Sequence, residues 1–418
     1  MMSYKNKKVT VVGLARSGVA ASRLLCSLGA RVFVTEEKSS PELVKLSRDL
    51  KKEGMGVELA GHTRDCVEGC DVMVLSPGVR PDSAPVAWAG QAGIPVISEI
   101  ELAWSVCRAT VIAVSGTNGK TTTTTLIAEI LKSAGRTCYA LGNIGTPFSS
   151  KVVEMKEGDY VSLEVSSFQL EFIRSFKPRV ALILNMTPDH LDRYKSVEEY
   201  LNAKKRIFMN QTKDDWLILN ETDEALKKAA GQARSRVLFF GKAGVEDAGM
   251  NQNQQAVLAA ARALDVERKT VLSVFRDFKG VEHRLEFVRD LNGVTFINDS
   301  KATNIDSTVW ALNNMKKPVI LIAGGRDKGS DFSSIVQLIG QKVKFAVLVG
   351  EAASRIALAW KGAVPFETVS SFPEAVRLAR TQAESGDCVL FSPMCKSFDM
   401  FTDYEHRGRT FKEIVAGL

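Results

Sequence analysis

The chain contains 418 residues, of which 45% are hydrophobic and 25% charged, and its net charge is +7. This composition predicts a globular protein of about three domains, each large enough to bury a core. Because the basic residues are scattered and no run approaches the roughly 18 apolar residues of a membrane span, we expect a cytoplasmic protein that binds neither nucleic acid nor membranes.

Short β-branched segments alternate with segments of helical periodicity along the whole chain. The predicted strands are residues 9–12, 31–34, 72–75, 111–114, 161–165, 180–184, 216–219, 237–240, 294–297, 319–322, 346–349 and 389–391. Many of them are apolar without alternation, which is typical of strands buried on both faces. Strand and helix in repeated alternation predict an α/β fold with parallel sheets, divided into domains at residues 1–109, 110–280 and 281–418.

The first domain opens with a strand followed by Gly13-Leu14-Ala15-Arg16-Ser17-Gly18 and a helix. This start is Rossmann-like, but Ala15 stands where the middle glycine lets a pyrophosphate approach the backbone. The alternative hypothesis from a different functional class is a nicotinamide oxidoreductase. This weak dinucleotide-binding fingerprint is its only support.

A phosphate-binding loop is predicted at Gly116-Thr117-Asn118-Gly119-Lys120-Thr121-Thr122, between a strand at 111–115 and a helix at 121–132. Backbone N–H groups and the helix N-terminus would face the phosphates, Lys120 would reach the β- and γ-oxygens, and Thr121 would hold Mg²⁺. The general loop has a glycine five positions before Gly119, where this chain has Val114. The sequence therefore predicts an ATP site of a shorter form.

Four further residues of the central domain are candidates. Glu164 ends a buried strand, where a carboxylate is costly unless it is paired or binds a metal. His190 follows a strand and has a carboxylate on either side, which suits a metal or phosphate site, although a lone histidine there is more often a loop residue. By composition alone, Lys204 is expected on the solvated face of a helix, and Asn143 is expected to be part of an ordinary glycine turn.

The third domain has three polar segments, each directly after a predicted strand: 298–304, 323–329 and 392–401. Ligand crevices in open α/β sheets lie at the carboxyl ends of strands. Functional residues also concentrate in loops on rigid scaffolds, so these segments predict a second part of the site.

The segment Ser-Gly-Thr-Asn-Gly-Lys-Thr-Thr at 115–122 resembles the ATP loop of the Mur ligases and their folylpolyglutamate synthetase relatives. Segments 163–170 and 185–192 resemble the Leu-Glu-x-Ser-Ser-Phe-Gln-Leu and Asn-x-x-x-Asp-His-x-Asp motifs of the family. The resemblance implies Rossmann-like outer domains around a P-loop ATPase-like centre. It also implies a ligase that makes an acyl phosphate from a carboxylate and ATP, which an amine then displaces.

The resemblance extends over essentially the whole chain, and segments 298–304 and 392–408 are most similar to those of members that add D-glutamate to UDP-N-acetylmuramoyl-L-alanine. It implies two Mg²⁺ ions held by Thr121, Glu164, His190 and a carbamylated Lys204, with Lys205 as the alternative. ATP would also contact Arg284, Asp299 and Lys301. The substrates would contact Ser76, Asn143, Ser166, Thr303, Lys328, Ser397 and Tyr404. The protein is expected to act as a monomer.

One segment departs from the family pattern. A Gly-x-His-Asn-x-x-Asn signature is usual on the last helix of the middle domain. The corresponding segment here, Gly249-Met250-Asn251-Gln252-Asn253-Gln254-Gln255, has no histidine. The sequence therefore does not indicate which residues contact the adenine of ATP. A sister Mur ligase adding another amino acid, a folylpolyglutamate synthetase and a non-catalytic binding protein remain as alternatives.

Overall fold

A computed structural model describes residues 3–143, 145–187, 189, 193–242, 244, 247–327 and 329–418. The chain forms two compact units, one of Met1–Met186 with Ser196–Phe278 and the other of Thr187–Lys195 with Lys279–Leu418. The described residues form three sheets, in which parallel pairing dominates, so the predicted α/β class is confirmed. The boundaries predicted near residues 109 and 280 stay predictions. None of the described helices is both long and apolar enough to cross a membrane.

The first sheet of the first unit is parallel and has the strand order β3-β2-β1-β4-β5. Its strands are β1 (Lys8–Val12), β2 (Arg31–Thr35), β3 (Gly56–Glu58), β4 (Val72–Leu75) and β5 (Val96–Ser98). The helices are α1 (Arg16–Ser27), α2 (Pro41–Lys52), α3 (Ala84–Gln91) and α4 (Glu99–Trp104). The central strand β1 is almost fully buried because helices cover both faces of such a sheet.

The second sheet is also parallel, with the order β11-β10-β9-β6-β8-β7. Its strands are β6 (Thr110–Ser115), β7 (Cys138–Gly142), β8 (Tyr160–Glu164), β9 (Val180–Ile183), β10 (Trp216–Asn220) and β11 (Arg236–Phe240). The helices are α5 (Lys120–Ser133), α6 (Ser167–Leu170), α7 (Val197–Lys205), α8 (Glu224–Ala229), α9 (Gln252–Ala263) and α10 (Arg268–Asp277). After β6 the chain continues to one side of this strand and later to the other, so the carboxyl end of β6 lies at a topological switch point.

The sheet of the second unit has the order β12-β13-β17-β14-β15-β16, and only the β12–β13 pair among its described strands is antiparallel. Its strands are β12 (Glu286–Leu291), β13 (Val294–Asn298), β14 (Val319–Gly324), β15 (Val343–Val349), β16 (Phe366–Val369) and β17 (Cys388–Met394). The helices are α11 (Ile305–Asn314), α12 (Val336–Lys342), α13 (Ala353–Trp360), α14 (Phe372–Gln382) and α15 (Tyr404–Ala416). Since β13, β17 and β14 are neighbours, the three polar segments that follow them start at one edge of the sheet.

Five strands were not predicted from the sequence: β3, β5, β7, β12 and β16. All five are edge strands of their sheets. An edge strand is paired on one side only and can be short or half-exposed, so it does not need the continuous apolar run by which the central strands were recognised.

Candidate active site

The phosphate-binding loop connects β6 to α5. Gly116 and Gly119 have φ angles of +144° and +83°, which favour glycine. A Cβ atom at position 116 would lie only 3.0 Å from the Cβ of Leu184. Helix α5 begins at Lys120, and the glycine before it brings no side chain over the first backbone N–H groups of the helix. The loop therefore presents a helix N-terminus suited to an anion.

Asn185 braces this loop. Its Oδ1 accepts hydrogen bonds from the backbone N–H groups of Thr117, at 3.0 Å, and Asn118, at 2.8 Å, and its Nδ2 donates to the Asn118 carbonyl at 3.1 Å. Sequence reasoning did not assign this role. The available signal was an asparagine just after the predicted strand at 180–184, since β9 pairs directly with β6.

Two lysine side chains converge on the Gly116 carbonyl. The Nζ atoms of Lys120 and Lys204 each donate to it at 2.9 Å, and Lys120 also donates to the Thr117 carbonyl at 2.7 Å. The loop thus curls around the Lys120 ammonium, which lies among the groups expected to face phosphates. The structure brings these two predicted residues together although 84 positions separate them in the sequence.

Glu164 lies beside the loop because it pairs in register with Val114, two residues before Gly116. Its side chain is 1% exposed. The Oε2 atom accepts a hydrogen bond from Thr121 Oγ1 at 2.7 Å, and Oε1 accepts one from Asn143 Nδ2 at 3.0 Å. A hydroxyl and a carboxylate at this spacing are oxygen donors of the kind that Mg²⁺ binds, so Thr121 and Glu164 fit the ion.

Lys204 is also 1% exposed, and its Nζ lies 4.6 Å from the centre of the Tyr200 ring. The neighbouring Lys205 is only half-buried. A carbamylated lysine must be neutral part of the time, which burial favours. Of the two candidates, the environment of Lys204 is the one that suits carbamylation.

Other predicted residues of the first unit have structural partners. Ser76 Oγ donates to the Gly13 carbonyl at 2.9 Å, and Ser166 caps α6 in a reciprocal pair with Gln169. Asn253 lies against the loop, since a Cβ at Gly119 would be 2.4 Å from its Oδ1. The predicted site residues His190 and Lys328 lie outside the described residues.

The glycine turn after β1 is closed by a carboxylate of this chain. Glu36, directly after β2, accepts a hydrogen bond from the Leu14 N–H at 2.7 Å. Beside the turn, a cleft of about 720 Å³ lies between α1 and the segment 145–153, and Arg16 and Ser149 contribute to its walls. Its volume is within the range of small-molecule sites.

The nucleotide candidates of the second unit surround the carboxyl end of β13. Asp299 is 1% exposed and accepts hydrogen bonds from Ser392 Oγ at 2.8 Å and from the Leu285 N–H at 3.3 Å. Burial raises the pKa of its carboxyl group to about 6, and the nearby positive charge of Arg284 opposes this shift. The Arg284 guanidinium lies 5.9 Å from the Trp310 ring centre.

The amino-acid candidates lie on the same edge of this sheet. The Nζ atom of Lys301 is 5.1 Å from the centre of the Tyr404 ring, and Tyr404 begins α15. Ser397 is 3% exposed, and Thr303 is half-buried two residues after Lys301. The ligand contacts predicted for these residues stay predictions.

One cluster of metal-ligating types is present among the described residues, at Glu282, His283 and Glu286. The ammonium of Lys412 lies 2.5 Å from Glu282 Oε1 and 3.0 Å from Glu286 Oε1. Burial lowers the pKa of His283, whose Nδ1 lies 2.9 Å from Asn298 Nδ2. The Lys412 ammonium already pairs with both carboxylates, so the cluster has a structural explanation.

Three parts of the chain match known protein domains. Residues 7–98 match the Mur ligase MurD-like N-terminal domain, residues 114–279 the Mur ligase middle domain, and residues 283–395 the Mur ligase glutamate ligase domain. The UDP-N-acetylmuramoylalanine--D-glutamate ligase of Thermoanaerobacter pseudethanolicus is 39% identical to the chain over 452 residues, which cover 100% of both proteins. The chain belongs to the Mur ligase family.

A second relative agrees with this membership, and a solved structure agrees with the fold. The enzyme of the same name from Pelotomaculum thermopropionicum is 41% identical, with 100% of this chain and 99% of the relative covered. Among solved structures, the UDP-N-acetylmuramate-alanine ligase MurC of Thermotoga maritima has a TM-score of 0.63 at 19% identity, covering 98% of this chain and 99% of that one. The predicted resemblance is confirmed, and the nicotinamide oxidoreductase alternative is wrong.

Proposed function

We propose that this Mur ligase joins D-glutamate to UDP-N-acetylmuramoyl-L-alanine at the expense of ATP, in peptidoglycan precursor synthesis. The observation that carries the choice of substrates is the full-length likeness, at 39% and 41% identity, to enzymes named for that reaction. The contact between Thr121 and Glu164 at the end of the phosphate loop supports the use of ATP with Mg²⁺.

The chemistry we propose begins with attack of the substrate carboxylate on the γ-phosphorus of ATP, which forms an acyl phosphate and ADP. The amine of D-glutamate then attacks the acyl carbon, phosphate leaves, and the nitrogen loses a proton as the amide forms. The ammonium of Lys120 and the N-terminus of α5 would stabilise the negative charge on the transferred phosphoryl group. We further propose that Lys301 and Arg284 contact the γ-phosphate of ATP, that Asp299 contacts its ribose, and that Thr303, Lys328, Ser397 and Tyr404 hold D-glutamate.

Thr121 and Glu164 are proposed to bind one Mg²⁺ ion, and His190 with carbamylated Lys204 a second. When bound, the metal would supply positive charge that offsets the negative charge of the phosphates. Asn143 is proposed to orient Glu164 through its 3.0 Å hydrogen bond, because an amide that donates to one carboxylate oxygen leaves the other oriented toward the loop.

Carbamylation of Lys204 is proposed from its burial and its place 2.9 Å from the Gly116 carbonyl. The neutral amine would add to CO₂ and release one proton, which yields an anionic carbamate. A Lys204→Ala variant should lose activity and regain part of it with short carboxylic acids that replace the carbamate. Lys205→Ala is the matched control and should keep its activity. Loss of activity in Lys205→Ala alone would contradict the assignment.

The cleft beside α1 is proposed to receive part of UDP-N-acetylmuramoyl-L-alanine, with Ser76, Ser166 and Asn143 along the path of the substrate. Its volume of about 720 Å³ and the cationic Arg16 suit a phosphorylated sugar nucleotide. Because ATP and UDP-N-acetylmuramoyl-L-alanine are nucleotides of the cytoplasm, we propose that the protein acts there. We also propose a monomer, since one chain carries all the residues assigned here. Analytical ultracentrifugation at the concentration used in the activity assay tests this proposal and should give the mass of one chain.

The decisive experiment measures phosphate release with ATP, Mg²⁺, UDP-N-acetylmuramoyl-L-alanine and a panel of amino acids. Release should occur with D-glutamate and not with L-glutamate, L-alanine or a diamino acid. A Lys120→Ala variant should abolish it. Release that instead requires L-alanine or a diamino acid would favour a sister Mur ligase, and release with L-glutamate and a folate would favour a folylpolyglutamate synthetase.

A further inference from the structure

Arg407 is a buried cation that the proposed chemistry does not use. It lies in α15 and is 1% exposed, and its guanidinium lies 5.7 Å from the centre of the Phe391 ring. Burial lowers the pKa of its side chain to about 10. Removing a guanidinium from water is costly unless several hydrogen bonds compensate for it, so its partners indicate what it is for.

Its hydrogen bonds join two of the three polar loops of the second unit. The Nε atom donates to Ser300 Oγ at 3.1 Å and one terminal nitrogen, Nη2, donates to the Ser300 carbonyl at 2.7 Å. The other, Nη1, donates to the Cys395 carbonyl at 3.1 Å. Ser300 directly precedes Lys301, and Cys395 is two residues before Ser397.

The third polar loop is packed against the same group. A Cβ at Gly325 would lie 3.2 Å from Arg407 Nη1 and 2.5 Å from the Lys396 carbonyl oxygen. Backbone hydrogen bonds between Arg326 and Lys396, of 2.8 and 3.1 Å, also tie this loop to the segment after β17. All three loops at this edge of the sheet therefore meet at one guanidinium.

We propose that Arg407 is a positioning residue of the ligase reaction, which fixes the loop carrying Lys301 relative to the loop carrying Ser397. The planar guanidinium suits this purpose because its donors point in fixed directions, which the flexible ammonium of a lysine cannot reproduce. Arg407 contacts none of the three substrates in this role and acts through the backbones of Ser300 and Cys395. The inference rests on the proposed function, in which the loop carrying Lys301 contacts ATP and the loop carrying Ser397 contacts D-glutamate.

The test compares Arg407→Met, which keeps the length of the side chain and removes its donors, with the matched control Arg289→Met. Arg289 is a half-buried arginine of the same unit whose guanidinium donates to the Val415 and Ala416 carbonyls at 3.2 and 3.3 Å. For Arg407→Met we expect kcat/KM to fall about 100-fold, with higher KM values for both ATP and D-glutamate, since a displacement of about 1 Å can cost that much. Arg289→Met should keep both KM values.

Two further variants keep the inference testable if Arg407→Met does not fold. Arg407→Lys should be folded and intermediate in kcat/KM. Free guanidinium ion at millimolar concentration should restore part of the activity of Arg407→Ala and none of that of Arg289→Ala. Wild-type KM values in folded Arg407→Met and Arg407→Lys, or an equal loss in Arg289→Met, would overturn the inference.

Failure of the proposed function would look different, because wild-type enzyme would then release no phosphate with D-glutamate. Binding of a non-hydrolysable ATP analogue, measured by calorimetry, still tests Arg407 in that case. We expect binding about tenfold weaker in Arg407→Met than in Arg289→Met, which corresponds to the loss of one or two hydrogen bonds. Equal binding by the two variants would refute the positioning role.

Discussion

Helix α4 carries two buried glutamates that connect the first sheet region to the second. Glu101 is 5% exposed, and its carboxylate accepts hydrogen bonds from the backbone N–H groups of Arg174, Ser175 and Phe176 at 2.9, 2.8 and 2.9 Å. Ser175 Oγ adds a fourth at 2.5 Å. Both carboxylate oxygens are used, so this carboxylate holds the segment after α6 in place.

Glu101→Gln should destabilise this junction strongly. Each oxygen of the Glu101 carboxylate accepts two hydrogen bonds. Glutamine has only one such oxygen, so its NH₂ group must face the two donors that the other carboxylate oxygen served. Two donors then lose their acceptor, and at about 1–3 kcal/mol for each buried unsatisfied group the free energy of unfolding should fall by about 2–6 kcal/mol. At about 2–4 °C per kcal/mol, the thermal midpoint should fall by several degrees or more.

Glu99→Gln is the matched control, two residues away on the same helix. Glu99 Oε1 accepts both hydrogen bonds from Ser149, from its N–H and its hydroxyl, and Oε2 has no partner among the described residues. Burial raises the pKa of Glu99, so a neutral amide relieves part of the cost of a buried charge. The amide oxygen can keep both bonds, and we expect a change within about 1 kcal/mol.

The assay is urea unfolding of the full chain at neutral pH, followed by tryptophan emission and by near-ultraviolet circular dichroism. Trp104 ends α4 and contacts Phe176 edge-on, with ring centres 5.7 Å apart, so it reports on this junction. The reasoning would be refuted if Glu101→Gln unfolded at the same urea concentration as Glu99→Gln.

Three further predictions concern the site. Burial raises the pKa of Asp299 from 3.8 to about 6. The contribution of the protonated carboxyl group to the free energy of unfolding is therefore fully present below about pH 4 and is lost as the pH rises through 6. The difference in unfolding free energy between wild type and Asp299→Asn should therefore fall by up to about 3 kcal/mol from pH 4 to 7 in denaturant titrations. Asn185→Ala should raise the KM for ATP about tenfold or more, because two loop amides lose their acceptor. Thr121→Val should raise the Mg²⁺ concentration needed for half-maximal phosphate release, and Thr121→Ser should not, since the serine keeps the hydroxyl beside Glu164.

Each of these predictions has a result that would contradict it. For Asp299, it is a difference in unfolding free energy that does not change with pH. For Asn185, the control is Asn210→Ala, which removes an amide donating to the Arg174 and Phe176 carbonyls, away from the loop. An equal rise in the KM for ATP in both variants would count against loop bracing. For Thr121, an equal Mg²⁺ requirement in the valine and serine variants would argue against a ligand at this hydroxyl.

The sequence predicted the central strands of all three sheets and missed five edge strands. The central strands carry continuous β-branched and apolar runs because both of their faces are covered. β3 and β5 are three residues long, and β12 is half-exposed along much of its length, so pairing with a neighbour formed these strands without a local signal.

The candidate site divides in a similar way. Thr121, Glu164 and Lys204 were recognised from motifs, and the structure brings their side chains to one loop. Asn185 and Arg407 were not assigned roles, because the value of each depends on which backbone groups it reaches. An asparagine after a strand and an arginine on a helix are common, and spacing along the chain does not indicate their partners.

The sequence by itself determined the α/β class, the phosphate loop and the family, because local patterns and short motifs carry them. Only the tertiary structure decided which residues meet. Glu164 reaches Thr121 because β8 pairs with β6, and the loops after β13, β14 and β17 share one edge because those strands are neighbours. Strand order is set by the packing of whole elements over long chain separations, so no single segment contains it.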